Sequence, residues 1–223
     1  MRRAFSLVEL LVVVLVVAIL LGILLPSLAS AREGGRSALC LANLRSITSI
    51  CIAYADEHRG YSPALGAPYA TLPNWALVVQ ESTGVRGTTA SELYSERSAL
   101  VCPTLRAMHG PQMQRTYAIN ATGHAGAPGD PDNYDLPSAH LRLDRIPRPS
   151  DTAIFVDSAP TYIPPPAPPP TRTASVLDFR NAEHVANRLA RPHGSGTQFQ
   201  AGHADGSAKV YREIPAFWSD PLP

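Results

Sequence analysis

From Phe5 to Leu25 the chain runs through 21 residues, FSLVELLVVVLVVAILLGILL, with a single ionisable side chain among them, Glu9. At about 1.5 Å per residue, a helix of that length covers roughly 30 Å, the hydrocarbon thickness of a bilayer. The run therefore predicts a membrane-crossing helix, with any globular body lying after it. The small residue Ala4 stands before the apolar run, whereas a secretory signal has a shorter apolar core with its small-residue cleavage site behind it. Cleavage after Ala4 would leave the helix in place. Arg2 and Arg3 precede the span, so the positive-inside bias predicts a single pass, a cytoplasmic N-terminus and an extracytoplasmic body from Pro26 to Pro223.

Glu9 asks for a partner, because a carboxylate at membrane depth costs on the order of 3 kcal/mol and such groups are paired. Removal of residues 1–4 would expose an α-amine on Phe5, one helical turn from Glu9. The same amine on a neighbouring copy could reach Glu9 in a packed bundle, which would turn the insertion cost into an assembly rule.

The basic head, the small residue Ala4 and the opening Phe5-Ser6-Leu7-Val8-Glu9-Leu10 resemble the N-terminus of the type IV pilin-like family, which includes the type II secretion pseudopilins. The resemblance implies that a prepilin peptidase cuts between Ala4 and Phe5 and methylates the new amine of Phe5. It implies that Glu9 guides subunit docking into a helical filament and that Pro26 stands where many relatives kink or melt the helix. The implied partners are the peptidase, other pilin-like subunits, an inner-membrane assembly platform and membrane lipid; the implied location is a bacterial inner membrane. Family members usually carry Gly where this chain has Ala4.

Residues 37–58 continue the helical pattern, with Cys40, Leu44, Ile47, Cys51, Tyr54 and His58 forming a stripe opposite Asn43, Arg45, Ser49 and Asp56. Gly34-Gly35 is expected to interrupt the helix, and Arg59-Gly60 to end it. Beyond it, residues 99–102, 116–120, 153–157, 197–203 and 207–213 read as strands, with Asp205-Gly206 as a hairpin turn between the last two. A short helix is expected over 75–81, opened by Asn74, and Pro164 to Pro170 is expected to form an extended loop. The expected fold is α+β: a long N-terminal helix, membrane-spanning in its first half, whose second half packs on an antiparallel sheet. The expected divisions are a leader 1–4, a polymerisation helix 5–25, its continuation 26–58, and a β-rich head 59–223 with a Pro-rich loop near 160–171.

Nineteen basic and eighteen acidic residues give a formal charge of +1, which carries no nucleic-acid footprint. Three cysteines in an extracytoplasmic body allow one disulfide. Cys40 and Cys51, eleven residues apart on one helix, lie about 16 Å apart and cannot pair, while Cys102 could join either. The segments around Cys40, Tyr54, Val101-Cys102-Pro103, Tyr117 to Asn120, Asp157-Ser158 and His193-Gly194-Ser195-Gly196 to Asp205-Gly206 also resemble a bacterial prepilin-type subgroup, named for a His followed after nine residues by Asp-Gly. Here eleven residues separate His193 from Asp205, and His193, Asp205 and Gly206 are expected to be structural. Because Cys40 and Cys102 both fall in the matching segments, the resemblance favours that pair; three buried thiols are the alternative.

Two clusters suggest chemistry. Asp130, Asp132, Asn133 and Asp135 gather oxygen ligands as a calcium loop does, though Pro131 and Leu141 break the EF-hand pattern and a solvated turn accounts for them. His193, Ser195, His203 and Asp205 include the residue types of hydrolytic and metal sites, but Ser195 lacks a nucleophile-elbow context. The chain therefore reads as a non-enzymatic filament subunit, pseudopilin or pilus, that requires no cofactor, calcium apart. The rival reading is a periplasmic binding protein or hydrolase that uses the N-terminal helix only as an anchor.

Overall fold

The computed structural model describes residues 7–66, 74–86, 98–124, 139–160 and 172–223. Ala4, Phe5, the cluster Asp130, Asp132, Asn133 and Asp135, and the stretch Pro164 to Pro170 lie outside the described residues. Helix α1 spans Leu7–Glu57, and helical structure continues through Pro26 and through Gly34-Gly35. The glycine pair therefore does not interrupt the helix as expected; a cost near 1 kcal/mol per glycine is small against the propagation of a helix this long. The chain divides into two compact units, Met1–Arg36 and Ser37–Pro223.

In the second unit, α1 presents Cys40, Leu44, Ile47, Thr48, Cys51 and Ala55 as its buried face. The stripe drifts at its end: Ala55 is buried instead of Tyr54, and Tyr54 stacks on the exposed His58 with ring centroids 3.7 Å apart. A true 3.6-residue period carries position 51 to 55, while strict 4-3-4-3 spacing carries it to 54. Gly60 closes the helix in the left-handed region (φ 84°), its N–H donating to the Ala55 carbonyl at 2.8 Å.

Helices α2 (Trp75–Ser82), α3 (Pro103–His109) and α4 (Ala182–Arg188) surround a five-stranded sheet. Asn74 caps α2 by accepting from Leu77 N–H at 3.0 Å. Residues 99–102, expected as a strand, form a turn. Ser98 Oγ accepts from Leu100 N–H, and Pro103 then starts α3 with its preset φ.

The strands are β1 (Tyr117–Asn120), β2 (Ala153–Asp157), β3 (Val176–Leu177), β4 (Phe199–His203) and β5 (Ala208–Tyr211), in the order β3-β1-β2-β4-β5. All neighbouring pairs are antiparallel except β1 and β3, so the sheet is mixed where a purely antiparallel one was expected. The β4–β5 hairpin turns at Asp205-Gly206: Gly206 has φ 83°, and Asp205 Oδ1 accepts from Ser207 N–H at 2.9 Å.

Both faces of the sheet are covered, which is why β1, β2 and β4 are buried along their whole length. The face toward α1 packs Tyr117, Ile119 and Phe155 against Cys40, Leu44, Ile47 and Trp75. The opposite face packs Ala118, Val156, Phe199 and Ala201 against Leu189 and Trp218. Along β4 the alternation gives Gln200 and Gly202 to the α1 side: Gln200 Nε2 donates to Ser37 Oγ at 2.7 Å, and Gly202 lies beneath Thr48.

Candidate functional site

Two regions carry chemistry. The first is the N-terminal part of α1, where Glu9 occupies the first turn and is exposed. Leu7, Val8, Leu10, Leu11 and the large apolar side chains that follow to Leu28 are exposed on every side of the helix. The helix is long and apolar enough to cross a membrane, with a mean hydropathy of 3.3 over its most apolar stretch. A helix that is apolar all round and uncovered by its own chain takes its cover from lipid or from other helices.

The second region lies in the core beneath α1. A disulfide joins Cys40 of α1 to Cys102, the residue before α3, with Cα atoms 4.9 Å apart. Cys102 N–H donates to Thr116 Oγ1 at 2.6 Å, and Asn43 Nδ2 donates to the Val101 carbonyl at 3.0 Å, tying the same turn to the helix. Against the disulfide lies His193, whose Nε2 is 3.8 Å from Cys102 Sγ and 3.5 Å from Asp157 Oδ2. Cys40, Cys102, Asp157 and His193 are all 0–1 % exposed. Asp157 Oδ2 accepts the Gln200 N–H at 2.8 Å, while Oδ1 is buried without a hydrogen-bond partner. Burial pushes the Asp157 carboxyl up to about 8 against the pull of the Gln200 N–H. Burial, and then Asp157, hold the Tyr117 phenol well above its ordinary value; its hydroxyl donates to the Cys40 carbonyl at 3.3 Å.

The four residues of the mixed cluster His193, Ser195, His203 and Asp205 are dispersed. His193 is buried before β4, Ser195 is exposed on a left-handed turn (φ 59°), and Asp205 holds the hairpin beyond the other end of β4. His203 turns to the face opposite α1, where Nε2 meets Tyr211 Oη at 2.7 Å beside Trp218. This arrangement offers no nucleophile–base pair between Ser195 and either histidine. The residue that sequence reasoning left without a chemical role is Asp157; its signal is a carboxylate closing a strand that is otherwise apolar, Ala153-Ile154-Phe155-Val156.

Residues 1–25 match the family model described as the prokaryotic N-terminal methylation motif. No curated protein and no solved structure matches the chain.

Proposed function

We propose that this chain, type IV pilin-like by its N-terminal methylation motif and the long apolar helix behind it, is a structural subunit of a type II secretion or type IV pilus-type filament. The carrying observation is the methylation motif at the head of a helix whose apolar surface is exposed on all sides and holds one carboxylate, Glu9. Prepilin peptidase cuts between Ala4 and Phe5 and methylates Phe5. The helix waits in the inner membrane with its N-terminus cytoplasmic and its head outside, and an assembly platform transfers it into the filament. In the filament, the Glu9 carboxylate meets the Phe5 amine of a neighbouring subunit, which offsets a cost of about 3 kcal/mol for holding the charge in lipid. Tight helix packing supplies the remainder.

The test is the intact mass and N-terminal residue of the protein isolated from its native membrane, with Glu9→Ala alongside. The expected product begins at N-methylated Phe5, and Glu9→Ala leaves monomers that fail to enter filaments. An N-terminus still at Met1 or Arg2 would sink the reading and favour the anchored binding protein or hydrolase.

A further inference from the structure

We propose that the reduced form of this chain holds one Zn²⁺ ion through four buried side chains: Cys40, Cys102, His193 and Asp157. Three ligand atoms, the two sulfurs and a His193 ring nitrogen, lie within 4.8 Å of one another. Asp157 brings the fourth: its Oδ2 is 3.5 Å from His193 Nε2 but stands outside that group of three, so the carboxylate has to swing toward the sulfurs. The ligands converge from α1, the residue before α3, the turn before β4 and the end of β2, all within one folded unit.

The spacing fits the ion. With Zn–S near 2.3 Å and Zn–N or Zn–O near 2.0–2.2 Å, tetrahedral geometry sets neighbouring ligand atoms roughly 3.3–3.8 Å apart. Cys102 Sγ to His193 Nε2 is 3.8 Å, and His193 Nε2 to Asp157 Oδ2 is 3.5 Å, so two edges of the tetrahedron already have that length. Once the S–S bond opens, the two sulfurs need to separate by roughly 1.7 Å to form a third edge.

The disulfide alone explains neither the carboxylate nor the histidine beside it. Asp157 Oδ2 accepts the Gln200 N–H while Oδ1 is buried without a hydrogen-bond partner, so the carboxylate keeps acceptor capacity that a cation would take up. Thiolate and imidazole donors select Zn²⁺ over the hard cations Mg²⁺ and Ca²⁺. Opening the site takes two electrons and two protons from a dithiol, which is itself oxidised to a disulfide. The protein is left with two thiols. Binding of Zn²⁺ then releases both thiol protons, together with any proton on Asp157. Ion and disulfide would thus provide the same cross-link between α1 and the turn before α3 in mutually exclusive redox states, and oxidation of the cysteines would expel the ion.

The experiment uses the full chain in detergent, produced in a reducing host and purified anaerobically, with all three thiols counted as free before use. Co²⁺ is titrated in and displaced with Zn²⁺. The expected result is one equivalent bound with a thiolate-to-cobalt charge-transfer band, and no band from the disulfide form. Asp157→Asn and His193→Ala should each weaken the affinity by upwards of about tenfold, the loss that outer-shell changes alone produce. Cys51→Ser, which leaves all four ligands in place, should bind as the parent does. If the reduced chain is unfolded by circular dichroism, Zn²⁺ should restore its structure. Absence of the band from a folded reduced chain would overturn the proposal. So would failure of Zn²⁺ to restore an unfolded one, or binding that neither Asp157→Asn nor His193→Ala weakens.

Discussion

Gly202 lies where β4 passes beneath α1, and replacing it with alanine tests how closely helix and sheet approach. The position is ordinary strand, so a side chain costs nothing in backbone conformation. A Cβ there would fall on Thr48 Oγ1, 3.2 Å from the Leu44 carbonyl oxygen and 3.5 Å from Leu44 Cβ. Thr48 and Leu44 are both fully buried, and Thr48 Oγ1 donates to the Leu44 carbonyl at 2.8 Å. Either the threonine rotates away and leaves its hydroxyl unsatisfied, or the helix lifts. Each response costs about 1–3 kcal/mol. The loss of chain entropy on Gly→Ala returns about 0.4–1 kcal/mol. Gly202→Ala should therefore destabilise by about 1 kcal/mol. Thr48→Ala removes the obstructing oxygen, so the double variant should be more stable than the sum of its parts by about 1–2 kcal/mol. The assay is urea unfolding of the full chain in nonionic detergent, followed by the fluorescence of Trp75 and Trp218, both buried in the head. A cost for Gly202→Ala that is the same with and without Thr48 would refute the close approach.

Further outcomes follow from other contacts. The disulfide closes a sequence separation of 62 residues, worth about 4 kcal/mol by loop entropy, so Cys102→Ser should lower the urea midpoint by the corresponding amount; an unchanged midpoint would show that the bond does not form. Asn74→Ala should cost about 1 kcal/mol, measured in the same way, because it removes the cap acceptor for Leu77 N–H; an unchanged midpoint would show that the cap adds nothing. Burial, and then Lys209, hold His203 below its ordinary value of 6.5. On acidification the unfolded chain takes up its proton first, so the stabilisation is present above about pH 6.5 and is lost as the pH falls toward the folded value. His203→Gln should accordingly cost more at about pH 7.5 than at about pH 5, and equal costs at the two would refute the assignment.

What could be read from the chain in advance is what local periodicity encodes. The apolar run after Ala4, the helical face through Cys40, Leu44, Ile47 and Cys51, the Asn74 cap and the Asp205-Gly206 hairpin each depend on residues within a few positions of one another. Residues 99–102 misled for the complementary reason: an apolar tetrapeptide suits a buried turn as well as a strand, and Pro103 decided the matter by starting a helix. Strand β3, only two residues long, has no period to detect.

The core cluster was hidden at a different level. His193 lies 91 residues from Cys102, and Asp157 sits on a strand far from both in the chain. Their meeting depends on strand order. Because β2 lies between β1 and β4, Asp157 stands opposite Tyr117 on one side and accepts the Gln200 N–H on the other. The turn entering β4 then delivers His193 to the same point, under the stretch of α1 that carries Cys40. Asp157 shares with Tyr117 and Phe155 the face of the sheet that α1 covers, and that cover keeps its carboxyl from water. The covered position of β2 is therefore what turns Asp157 from a strand terminator into a buried carboxyl pushed up to about 8, and burial is what makes the chemistry of its neighbours matter.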